Sequence, residues 1–100
     1  MAIVVKDIIW TKRSLGNIEK ELEYYGNISK KVANDLSKLI IHSVNKIAQM
    51  SGIGREGKII GVREFVLQTF PYIIVYRVRN NLIEILTIIH QKRKNIQGFY

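Results

Sequence analysis

Residues 61–93 read GVREFVLQTFPYIIVYRVRNNLIEILTIIHQKR, and the reading of this stretch decides the fold. Runs rich in β-branched and aromatic residues predict strands at about 59–67, 72–79 and 82–90. Asn80-Asn81 joins the last two as a two-residue hairpin turn, because Asn tolerates the left-handed φ that such turns require. Phe70-Pro71 ends the connection before them. The run LIEILTIIH is nearly all apolar, as expected of a strand covered on one face and shielded by its neighbours on the other.

Upstream of this meander the periodicity changes. Ile3 to Trp10 reads as a first strand, and Thr11 is placed to cap a helix behind it. Leu15, Ile18, Leu22 and Tyr25 recur at spacings of three and four, which predicts a helix over 12–25. Gly26 ends it, and Asn27 or Ser29 caps a second helix over 29–50 whose stripe is Val32, Leu36, Leu39, Ile40, Val44 and Ile47. Each stripe needs a surface to cover it. The order β-α-α-β-β-β therefore predicts an α+β fold: an N-terminal strand, then an antiparallel helical hairpin packed on one face of a three-stranded antiparallel meander. One hundred residues fit a single domain, 1–100.

Composition narrows the function classes. With no cysteine, disulfides, thiolate zinc sites and cysteine nucleophiles are excluded. Apolar runs are broken by Glu84 and Thr87, too short for a bilayer, and the N-terminus shows no secretion signal, so a cytoplasmic protein is expected, with no membrane partner. The formal net charge is +8. Eight cations face five anions in residues 1–50, and eight face three in 51–100, so the sheet half is the more basic. That balance suits an acidic partner, nucleic acid or an acidic protein segment.

Two glycine patterns mimic nucleotide sites. Gly52-x-Gly54-x-x-Gly57 matches a dinucleotide fingerprint, and Gly52-x4-Gly57-Lys58 nearly matches a P-loop. Both require a strand before and a helix after. Here a helix precedes and a strand follows, and Ile59 stands where a magnesium-binding hydroxyl belongs, so the stretch reads as a turn. His42 has Lys46 at i+4 and no partner for a metal pair; no metal and no cofactor is expected.

His90 ends its strand and is followed by Gln91, Lys92, Arg93 and Lys94; it is the candidate proton-transfer group. Alternation puts Arg63 with Phe65 and Leu67, and Arg77 with Ile73 and Val75. Arginines among apolar strand residues need a carboxylate, a carbonyl or a polyanion, with Glu64 and Glu84 at hand. The candidate binding set is Arg63, Arg77, His90, Lys92 and Arg93. Tyr72 and Tyr76 share a face and read as core.

These residues resemble those of the RelE/ParE toxin superfamily of bacterial type II toxin–antitoxin modules. The likeness runs through Ile8-Ile9-Trp10-Thr11, SGIGREG at 51–57, GVRE at 61–64, PYIIVYRV at 71–78 and IIHxxR at 88–93, in order over nearly the whole chain. The resemblance implies a toxin with a cognate antitoxin protein as partner, a disordered acidic segment that folds on binding. Nucleases resembling RelE place basic residues on the strand before the PY-like motif and an arginine after its tyrosine. This chain has Val66, Leu67 and Ile73 there, and only Arg93, with Phe99 or Tyr100, has a counterpart. GVRE and HQKR look more like the ParE branch, which implies a non-enzymatic toxin that poisons DNA gyrase. The alternative is a RelE-like endonuclease acting on the ribosome and its mRNA without metal, with His90 moving the proton and Arg63, Arg77 and Arg93 stabilising the phosphate. A third reading is a non-toxic basic module that binds nucleic acid.

Overall fold

The computed structural model describes residues 5–93. The elements are β1 (Asp7–Trp10), α1 (Lys12–Gly26), α2 (Lys30–Gln49), β2 (Arg55–Glu56), β3 (Val62–Val66), β4 (Tyr72–Arg79) and β5 (Leu82–His90), with a 3₁₀ turn at Gln91–Arg93. They form one sheet ordered β1-β5-β4-β3-β2. The meander β3-β4-β5 is antiparallel throughout, as the sequence predicts, while β1 lies parallel to β5 at the edge. This is the expected α+β order, extended by a two-residue strand, β2, that pairs with β3.

Both helices start where a hydroxyl waits for an orphan N–H. Thr11 accepts from the Ser14 amide at 3.1 Å, and Ser29 from the Val32 amide at 3.3 Å. Gly26 is the last residue of α1 rather than a left-handed cap: Asn27 follows at φ −72 in ordinary helical space. Thr11 also anchors α1 to the sheet. Its hydroxyl lies 2.8 and 3.0 Å from the carbonyl oxygens of Ile85 and Leu86. There the β4–β5 register jumps, with Tyr76 opposite Ile85 and Val75 opposite Thr87, so Leu86 is bulged out. Asn17 of α1 secures the far side of the bulge by accepting from the Thr87 hydroxyl at 2.6 Å.

The core lies between helices and sheet. Leu36, Ile40, Val44 and Ile47 of α2 meet Ile74 and Tyr76 of β4 and Ile83, Ile85 and Ile88 of β5; Ile18, Leu22 and Tyr25 of α1 pack at the side. A second buried cluster, Val62, Ile73, Val75 and Ile89, occupies the opposite face of the sheet. At the hairpin tip Asn80 takes φ 51, as the turn reading requires.

Two boundaries differ from the sequence reading by more than one residue. β3 starts at Val62, not near Ile59, because Gly61 at φ +85 belongs to a turn that β-branched neighbours disguise as strand. The first strand starts at Asp7: Val5 and Lys6, expected within it, precede it, and the expected Ile3 start lies outside the described residues. No described helix is long and apolar enough to cross a membrane.

Candidate functional site

The glycine stretch is a packed turn. It runs from α2 into β2, the reverse of a nucleotide-binding order. A Cβ on Gly54 would meet the Tyr76 hydroxyl at 2.7 Å and the Glu64 carbonyl at 2.9 Å. The Tyr76 hydroxyl accepts from the Gly54 amide at 2.9 Å and donates to the Ser51 carbonyl at 2.8 Å. Arg63, directly opposite Tyr76 across the strands, donates to the Gly54 carbonyl at 2.6 Å. The loop is thus stapled from both sides, and Arg63 finds the backbone carbonyl that an arginine in such a place needs.

Arg77 lies on the other face of β4, paired through Nε and Nη2 with the two Glu84 oxygens at 3.2 and 3.4 Å. Arg79 reaches the same carboxylate at 3.4 Å. Glu64, the alternative partner, is taken by Arg55 at 3.0 Å.

At the opposite end of the sheet, Tyr72 and His90 face each other across β4 and β5. Their rings meet edge to face, centroids 5.4 Å apart. They line an open cleft of about 360 Å³ with Lys20, Glu21, Tyr24 and Tyr25. The Tyr72 hydroxyl donates to Glu21 at 2.5 Å. Burial, reinforced by the hydrogen bond to Glu21, pushes its pKa well above the ordinary phenol value, so Tyr72 stays a donor. His90 Nδ1 accepts from the Lys92 amide at 3.1 Å, which leaves Nε2 to carry the proton of the neutral ring.

The sequence-selected residues therefore separate into different places. Arg77 lies five residues along β4 from the Tyr72–His90 pair, about 16 Å at the usual strand rise. Arg63 is engaged by the glycine turn beside Tyr76, on the face of the sheet opposite to Arg77. Lys92 and Arg93 fall in the 3₁₀ turn behind His90. The Arg93 side chain, Lys94, Phe99 and Tyr100 lie outside the described residues. Among the described residues no group of three His, Asp or Glu could hold a metal.

One surface was absent from the sequence reading. Trp10, Leu15, Ile18, Ser37, Ile40 and Ile41 line an almost wholly apolar groove of about 190 Å³ between β1, α1 and α2. Leu15 is 51% exposed and Ile41 56%. The available signal was Ile41 itself, an isoleucine one position off the buried stripe of α2.

Helix hairpin and mixed sheet together give the α+β architecture that the resemblance implies. A solved chain from the chromosomal ParDE toxin–antitoxin system of P. aeruginosa superposes with a TM-score of 0.77 at 25% identity, covering 86% of this chain and 96% of that one. Y4kP of Sinorhizobium fredii (strain NBRC 101917 / NGR234), named as a candidate toxin, is 35% identical over 85 residues, 85% of this chain and 88% of its own. The family model described as the ParE toxin of the type II toxin–antitoxin system, parDE, matches residues 8–95. The chain belongs to the ParE toxin family.

Proposed function

We propose that this toxin arrests growth by binding and poisoning DNA gyrase, and that a cognate antitoxin neutralises it. The observation that carries this reading is the dispersal of the arginines. Cleaving RNA without metal requires a base, an acid and cations gathered on one phosphate. Here Arg63 is held by the Gly54 carbonyl and Arg77 by Glu84, far along the strand from His90. What is left is a rigid basic scaffold for docking a protein, with Lys92 and Arg93 as candidate contacts beside His90. The antitoxin's seat is the Trp10–Ile41 groove, which suits the apolar face of an amphipathic segment, while a net charge of +8 favours an acidic one.

The alternative, a RelE-like mRNA endonuclease, draws its support from the His90–Tyr72 cleft, where aromatic rings and Lys20 surround a histidine. Induced expression in bacteria separates the readings. A gyrase poison triggers DNA breakage and an SOS response before any mRNA is cut, and His90→Ala weakens its toxicity little, less than charge reversal at Arg93 does. A nuclease cuts ribosome-bound mRNA first, and His90→Ala lowers its rate by about 10² to 10⁴. Harmless expression with salt-sensitive nucleic-acid binding would instead favour the non-toxic basic module. Co-expression of the neighbouring gene should restore growth.

A further inference from the structure

The turn between β2 and β3 presents an apolar side chain that the fold does not use. The Ile59 carbonyl accepts from the Val62 amide at 3.0 Å, closing a four-residue turn with Ile60 and Gly61 at its centre. Gly61 at φ +85 is the left-handed third residue that a type II turn demands. Below it, the Gly57 amide donates to the Val62 carbonyl at 2.8 Å, and a Cβ on Gly57 would crowd that oxygen at 2.9 Å. The tip is therefore fixed at its base by two backbone hydrogen bonds.

Ile60 stands at the second position of this turn and is 100% exposed; Ile59 beside it is 45% exposed. That second position accepts most residues, proline above all, so the turn does not call for isoleucine. The free chain gains nothing from an apolar side chain wholly in water, whereas a partner that buries it gains the full transfer. A β-branched side chain on a fixed turn also has little rotamer freedom to lose on binding. The flanking formal charges are Arg55, Lys58 and Arg63 against Glu56 and Glu64, one net positive charge, with Arg55 paired to Glu64 and Arg63 held by the Gly54 carbonyl. The tip sits at the β2 edge, four strands from the β1 edge where the apolar groove opens, about 19 Å at the usual strand spacing. A segment confined to the groove does not reach the tip.

We propose that Ile60, supported by Ile59, is the anchor with which this chain docks its protein target, inserting into an apolar socket edged by carboxylates, and that this surface is separate from the antitoxin's. The inference rests on the reading of the chain as a toxin that acts by binding a protein. Rigid apolar anchors of this kind concentrate binding energy at few positions, and the basic surround steers them to an acidic rim.

The test compares the full-length wild type with Ile60→Asn, Ile60→Val and, as a control at another exposed isoleucine, Ile28→Asn. Readouts are thermal stability, affinity for the purified antitoxin, affinity for purified gyrase, and growth arrest. Ile60→Asn should keep wild-type stability and antitoxin affinity, lose about thirty-fold in gyrase affinity, and fail to arrest growth. Ile60→Val and Ile28→Asn should behave as wild type. Undiminished arrest by Ile60→Asn overturns the proposal, as does an equal loss in Ile28→Asn or a parallel loss of antitoxin affinity. If wild type arrests growth with gyrase unbound, the gyrase reading fails alone, and arrest by Ile60→Asn still decides the anchor. Ile60-dependent binding to anionic vesicles, or an Ile60-dependent dimer in sedimentation, would assign the tip to lipid or to a second copy and overturn it equally.

Discussion

Replacing Tyr76 by Phe removes one oxygen and tests how the glycine turn is held. Tyr76 is completely buried. Its hydroxyl accepts from the buried Gly54 amide and donates to the Ser51 carbonyl. The ring keeps its packing in the variant, so the cavity left is small. The Gly54 N–H loses its acceptor in a place with no room for a Cβ, and an unsatisfied buried donor costs about 1–3 kcal/mol. The Ser51 carbonyl lies nearer the surface, regains water and adds little. The expected loss is about 2 kcal/mol, which for a chain of this size lowers Tm by about 8–16 °C. Urea unfolding followed by circular dichroism gives the free energy, provided the slope with denaturant is unchanged. A loss below about 0.5 kcal/mol would refute the reasoning, because the hydroxyl would then be contributing no more than a surface group.

Thr11→Val should cost about 1–2 kcal/mol, since it removes the N-cap of α1 and the hydroxyl's contacts to Ile85 and Leu86 while keeping the side-chain shape; chemical denaturation checks it. Leu36→Ala, at a wholly buried position of α2, should cost about 2–5 kcal/mol, measured by urea unfolding. The Tyr72 and Tyr76 pKa values are raised, chiefly by burial, and ionisation is therefore easier in the unfolded chain. Their contribution is fully present below the free phenol value near 10 and is lost as pH rises above it, because only the unfolded state then sheds the protons. Tyr72→Phe should flatten the fall in Tm above about pH 10.

The two long strands were legible to the residue because they combine β-branched content with a turn signal at Asn80-Asn81. The helices were legible within a residue or so, from stripes and hydroxyl caps. The short strand β2 was not, since Arg55-Glu56 has no alternation and exists only through its pairing with β3. Nor was the parallel β1–β5 pairing, which depends on the path of the helical hairpin. The partner of Arg77 followed from hairpin register, which sets Glu84 opposite it. Glu64 could not serve Arg63, because successive strand residues point to opposite faces. It pairs instead with Arg55, through a strand the sequence does not reveal. The apolar groove was hidden for a similar reason: β1 contributes one of its residues, α1 two and α2 three, and no single period records it.

The central claim is most directly tested with purified components. Relaxed plasmid, ATP and DNA gyrase are mixed with the toxin, and supercoiling and cleaved DNA are read on a gel with and without antitoxin. The account predicts that supercoiling falls and cleaved plasmid accumulates in proportion to toxin, that His90→Ala acts like wild type, and that antitoxin reverses both effects. Full supercoiling with intact plasmid, from a preparation that arrests growth and cuts ribosome-bound mRNA, would contradict it.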